Sequence, residues 1–332
     1  MAACVTDVAR AAEPFAKVGT YGMQWLQMPR GVRSIGMGET GTADASGTGT
    51  GYFNPASVAF SDAISVTGSY QDWHTGGLNL SEAVVSSPIP FRSDSTSSAW
   101  HFAASFGYAR LGMDPQTERT IFLPDGTGRT FDASDWGLMA LGAASWTSGV
   151  ATLAAGANGK YLHSNLASDD ITGWALDLGL LAAFPFDLGE GGVFRPRLGY
   201  AVLNLDDGIS YDGRDSDIEN RQRGGFGFDM ALPTISAWGR PVHAASLSLD
   251  YDLIDREIGS GRTYAAGFEM SVAEFMHFRY GTVDDDYRTV GLGLSWDYGQ
   301  VLFRVDYARQ NVENWLFPDD RDTFGALVGV RW

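Results

Sequence analysis

A single cysteine, Cys4, occurs in 332 residues. One thiol leaves no disulfide framework and no cysteine-built metal site. No run of about 18 apolar residues occurs either, which excludes helical membrane spans. Basic residues are scarce: 23 Lys and Arg stand against 40 Asp and Glu, a net charge of −17. That balance argues against nucleic acid as a partner, because phosphate neutralisation needs basic surface. Only two residues are lysine, Lys17 and Lys160, and they carry no functional signal at this level. The opening MAACVTDVARAAEPFAK lacks the apolar core of a secretory leader. The chain therefore reads as a mature or trimmed form of an exported protein. Enzyme signatures are missing too: there is no GxSxG or HExxH, and His74 beside Asp72 has no nucleophile to serve. The protein is expected to be no enzyme and to need no cofactor.

What is present is alternation. Ala245, Leu247, Leu249, Tyr251 and Leu253 share one face of an extended segment, and Ser246, Ser248, Asp250 and Asp252 share the other. The pattern repeats in Val290–Trp296, Val301–Tyr307, Phe226–Leu232, Trp174–Leu180 and the terminal Asp322–Trp332. One face is apolar and aromatic; its opposite is small or charged. A soluble sandwich also alternates, but charges on its inner faces would be costly unless paired, whereas a wet barrel lumen solvates them. The expected fold is all-β: a single transmembrane antiparallel β-barrel with the apolar face to lipid. Turn residues delimit about fourteen strands, at 61–72, 77–88, 98–110, 134–146, 149–163, 171–184, 193–205, 223–233, 242–254, 262–272, 274–283, 288–298, 300–311 and 322–332. In a closed sheet the last of these pairs with the first, Asp62 to Asp72.

Connections sort by length. Segments 111–133, 206–222, 255–261, 284–287 and 312–321 are long or acidic and are expected outside. Tight links at 147–148, about 273 and 299 are expected on the periplasmic side; 89–97 and 184–192 depart from the rule. Trp100, Trp136, Trp174, Trp296 and Trp332 fall where headgroup girdles would sit. The acids Asp212, Asp215, Asp217 and Glu219 offer a weak calcium site without EF-hand spacing, so no metal is assigned. Arg195, Arg197, Asp250, Asp252, Arg279, Arg304 and Asp306 are inward-facing charges, expected to pair across the lumen or fasten an inner segment. Pro196, inside VFRPRLGYAVL, lacks a donor N–H and could break the ladder there as a lateral-opening kink.

Residues 17–59 do not alternate. They are rich in glycine, which lets backbone approach backbone as a plug inside a barrel requires. GxGxxG-like spacings occur here without a leading strand or a following helix, so nucleotide binding is rejected. The division expected is a hatch or plug over 1–60 and a barrel over 61–332. The order Gly19-Thr20, Leu26, Gly31-Val32-Arg33, Ile35-Gly36-Met37-Gly38-Glu39, Ala43 and Asn54-Pro55-Ala56 resembles the start of PorV/PorQ-type proteins, relatives of FadL-type outer-membrane barrels. The pattern departs from the family at Gly41, Thr42 and Gly47 to Thr50, and at Ser57 after NPA. The resemblance implies a fourteen-stranded barrel with an inserted hatch in the outer membrane of a Gram-negative bacterium, in contact with its lipid. It also implies that Trp332 is the terminal aromatic recognised for insertion. Two roles follow from it: docking of secreted proteins with other outer-membrane subunits in a type IX-like secretion system, or hatch-gated uptake of a hydrophobic ligand such as a fatty acid.

Overall fold

The computed structural model describes residues 21–47, 51–73, 77–90, 98–166, 169–206, 208–211, 214–256, 261–284, 287–312 and 319–331. The expectations for residues 1–20, His74, Asp212 and Trp332 lie outside them. Fourteen antiparallel strands close into one barrel. In chain order they are β1 Ile64–Trp73, β2 Leu78–Ile89, β3 Ser98–Met113, β4 Ala133–Ser148, β5 Ala151–Leu166, β6 Asp169–Ala183 and β7 Gly192–Asp206. Next come β8 Arg221–Ala231, β9 Ala245–Arg256, β10 Arg262–Val272, β11 Met276–Val283, β12 Tyr287–Tyr298, β13 Val301–Val312 and β14 Asp319–Val330. Each pairs with the next, and β14 returns to β1 in a continuous register from Ile64↔Val330 to Trp73↔Arg321. Closure matters because lipid offers no partner for a free strand edge.

The two faces separate as the alternation requires. On β6, Leu178 is 44% exposed while its neighbour Asp177 is 0% exposed. Val290, Leu292, Leu294 and Trp296 likewise line the outside of β12. Aromatics gather at both rims. Trp136 packs against Tyr161 at 5.8 Å and Tyr161 against Trp174 at 4.9 Å between ring centroids, where β4, β5 and β6 meet the long loops. At the opposite rim Trp296 stacks on Phe303 at 5.5 Å.

Links at that opposite rim are tight, using left-handed residues: Ala273 (φ 52°), Glu274 (φ 56°) and Gly299 (φ 63°). Two longer links at the same rim are structured. Phe186–Gly189 folds back on Gly192–Phe194, and Thr234–Ala237 pairs with Arg240–His243. This accounts for the departure of 184–192 from the short-turn rule.

The ladder is not broken at Pro196, contrary to the expected kink. Pro196 pairs with Phe228 on β8, and its carbonyl accepts a 3.0 Å bond from the Phe184 N–H on its other side. A strand residue presents its N–H and C=O to the same neighbour. The missing donor of Pro196 therefore falls just beyond Arg197↔Ala183, where the β6–β7 ladder ends. The irregularity lies elsewhere: between Val202 and Leu205 the β7 chain carries one residue more than β6, and Asn204 adopts φ 61°. The sheet is thus continuous where an exit was expected.

The apolar belt predicts the effect of a charge placed on it. Leu292→Arg, at the middle of β12 and facing outward, is expected to destabilise the barrel by about 2–4 kcal/mol if the site lies at the bilayer midplane. Denaturant titration of the barrel folded in lipid vesicles measures this.

Candidate functional site

The interior is built from the segment between Tyr21 and Phe60 laid against the inward face of the wall. A 3-10 turn Gln24–Gln27, a short helix Val32–Gly36 and a second 3-10 helix Pro55–Phe60 give it shape. Trp25, Ile35, Met37, Ala43 and Ala56 are all buried.

The Gly36-Met37-Gly38 element works through absent side chains. Gly38 sits at φ 68°, and its N–H donates to Thr289 Oγ1 at 2.9 Å, while that hydroxyl donates to the Gly36 carbonyl at 3.1 Å. Across from it the wall carries Gly267, Gly281 and Gly291, and a Cβ on Gly267 or Gly281 would overlap the backbone at Met37 and Gly38. The same logic governs Asn54-Pro55-Ala56. Asn54 Oδ1 caps the helix by accepting from the Ala56 N–H at 3.0 Å, and its amide donates to the carbonyls of Thr42 (2.7 Å) and Leu180 (2.8 Å). Gly156 and Gly179 leave room for Pro55 and Asn54. These wall glycines were visible in the sequence as small residues on the polar face, but not their partners.

Charge completes the attachment. Asp252, fully buried on β9, accepts through Oδ2 from the N–H groups of Gly41 and Thr42 at 3.0 Å each, from Thr42 Oγ1 at 2.7 Å and from Arg223 at 2.9 Å. Arg197 reaches Asp229 at 2.8 Å, Asp250 at 3.1 Å and the Ala43 carbonyl at 2.7 Å. Arg195 also pairs with Asp229, at 2.7 Å. Arg279 bridges Glu269 (2.5 Å) and Asp306 (2.8 Å), and Arg304 pairs with Asp306 at 2.8 Å. Glu269 in turn holds Arg33 of the inner segment at 3.0 Å, and Arg33 holds Asp44 at 2.6 Å. All seven charges singled out from sequence therefore face inward. Pro196, by contrast, points outward.

Sequence reasoning passed over Arg30, Asp44 and Arg223, which sit in or against the non-alternating segment, and named Arg33 only as part of a motif, with no charge partner. Lys160, read there as without content, is buried and pairs with Asp177 at 2.7 Å. Of the acids considered for calcium, Asp217 is exposed and Glu219 buried, and among the described residues no group of three His, Cys, Asp or Glu converges.

Three of the cavities left inside differ in character. One is mainly apolar, lined by Tyr52, Val58, Val84, Met139 and Leu141 with Ser86, Ser105 and Asn158. A second is lined by Arg30, Lys160, Arg221 and Arg223. A third lies between Arg33, Glu82, Arg304 and Asp306.

No protein-family model matches the chain, and no curated protein does. Solved structures do. The toluene transporter TbuX of Ralstonia pickettii superposes with a TM-score of 0.57 at 12% identity, over 91% of this chain and 98% of that one. The toluene transporter TodX of Pseudomonas putida gives 0.52 at 12%, over 90% and 97%. A FadL homologue of Pseudomonas aeruginosa gives 0.45 at 12%, over 90% and 98%. The chain shares its barrel fold with TbuX and TodX. At such identity the likeness concerns the fold alone.

Removing the Asp252 carboxylate strands Arg223 as a buried, unpaired charge, so Asp252→Ala is expected to cost about 3–5 kcal/mol. The inner segment should loosen with it. Limited trypsin digestion of the folded barrel should cut after Arg30 or Arg33 faster than in the parent; equal protection in both would contradict the attachment described.

Proposed function

We propose that the protein is an outer-membrane barrel that takes up small hydrophobic molecules, with residues 1–60 as its hatch and 61–332 as the conducting wall. The observation that carries this is the apolar cavity between Tyr52, Val58, Val84, Met139 and Leu141, which lies between inner segment and wall. A lumen serving only ions or sugars has no use for such a surface, whereas a greasy ligand needs it to leave water. The fold shared with two toluene transporters agrees with this reading. No enzymatic step is required: the work is binding and passage. Pro196, which pairs with Phe228, lends this reading no lateral exit.

A second reading, docking of secreted proteins in the manner of PorV/PorQ-type subunits, rests on the residue resemblance over 19–56. It also draws on Ile121 and Phe122, which stand 95% and 91% exposed in the long link between β3 and β4. An apolar tip of that kind suits a protein partner.

Mass spectrometry of organic extracts from the purified barrel separates the two. Uptake predicts a co-purified apolar molecule that is lost when Leu141→Asp puts a charge into the cavity. If extracts of parent and variant are alike, and deletion of 119–125 instead abolishes capture of secreted proteins, the docking reading replaces it.

A further inference from the structure

Arg30 and Arg221 are an anomaly among the interior charges. They are 4% and 6% exposed, yet among the described residues neither has a carboxylate oxygen within 4.0 Å. Every other buried basic residue lining their cavity has one: Lys160 has Asp177 at 2.7 Å and Arg223 has Asp252 at 2.9 Å. The Arg30 guanidinium lies 4.6 Å from the Trp25 ring centroid and 4.9 Å from that of Tyr52, and its polar contact is a 3.7 Å bond to the sulfur of Met139. Its Nε and Nη2 have no acceptor. Arg221 offers one long bond, 3.4 Å, to the Gln27 carbonyl, and its Nε has no acceptor. Both line the same cavity, beside the loop-side ends of β5, β7 and β8.

Glu82 acts on Arg30 and Glu219 on Arg221 only from beyond ion-pair distance. A buried guanidinium whose N–H donors stay unfilled is costly, and its planar fork matches a carboxylate or phosphate in geometry as well as in charge. Three unfilled N–H donors on two such groups, bordering one space, describe a receptor for a small anion. Lys160 and Arg223 add positive potential to the same walls, while Asp177 and Asp252 are already engaged by their own partners. We infer that this chamber binds a small oxyanion of phosphate or carboxylate type, held between Arg30 and Arg221. The inference stands apart from hydrophobic uptake, since the apolar cavity and this chamber share only Tyr52 in their linings. The oxyanion has two sources: a free ion from solvent, or the head of an amphiphile whose tail crosses Tyr52 into the apolar cavity.

Isothermal titration of the detergent-purified full chain with inorganic phosphate, against chloride at equal ionic strength, tests it. Saturable phosphate binding is expected, weakened on the order of tenfold or more in Arg30→Gln and in Arg221→Gln. Heat-modifiable migration on gels reports that each variant is a closed barrel. Titration with alkyl phosphates of increasing length then assigns the source. Affinity that climbs with chain length identifies an amphiphile head, and constant affinity identifies a free ion. Absence of saturable binding by the parent overturns the inference without recourse to any variant, and so does undiminished binding by both folded variants. Neither result touches the uptake reading, which is judged by the apolar extract.

Discussion

A strand edge inside a bilayer has no water to satisfy its N–H and C=O groups, so the sheet must close on itself. Here that requirement is met by one seam, the ladder between β1 and β14, continuous from Ile64↔Val330 to Trp73↔Arg321. Everything else follows from the ring it completes. An outside made of Leu, Val, Phe and Trp becomes affordable because lipid meets it, and an inside becomes available for residues that no two-layer sandwich could hold. The bulge at Asn204 and the two folded links at the tight-turn rim adjust the ring without opening it.

The inside then faces a conflict of its own. A wall this rich in charge needs partners, and a non-alternating segment has peptide groups that the wall ladders do not use. Each answers the other: Asp252 collects the free N–H groups of Gly41 and Thr42, Arg197 takes the Ala43 carbonyl, and Thr289 serves both Gly36 and Gly38. Glycines on the wall and in the segment reduce the separation until such short bonds are possible. Arg30 and Arg221 are the buried cations of this set that have no carboxylate within 4.0 Å among the described residues.

The strands were legible because period-two patterning is a local property. All fourteen lie within a few residues of where alternation and turn residues put them; β14 begins at Asp319 and not 322, and β1 at Ile64 because Ser61 is still occupied in capping the preceding 3-10 helix. The inward charges were legible for the same reason. What pairs with them was not, since Arg33 meets Glu269 across 236 positions and no local pattern encodes that distance. Lys160 looked uninformative because a lone lysine in a glycine-rich strand has no periodic neighbour to mark it. Pro196 misled because the missing donor was judged without knowing which ladder it faced, and that ladder ends beside it.

The seam also sets an order of events. Asn54 and Gly38 lie inside a ring whose last joint is made between the strand that directly follows them and the strand at the far end of the chain. The segment's bonds to the wall reach strands from both halves of the ring, so they are complete only when the ring is. Every other joint in the ring is between strands consecutive in the chain, whereas the meeting of β1 and β14 closes a loop of nearly the whole barrel and so carries the largest closure entropy.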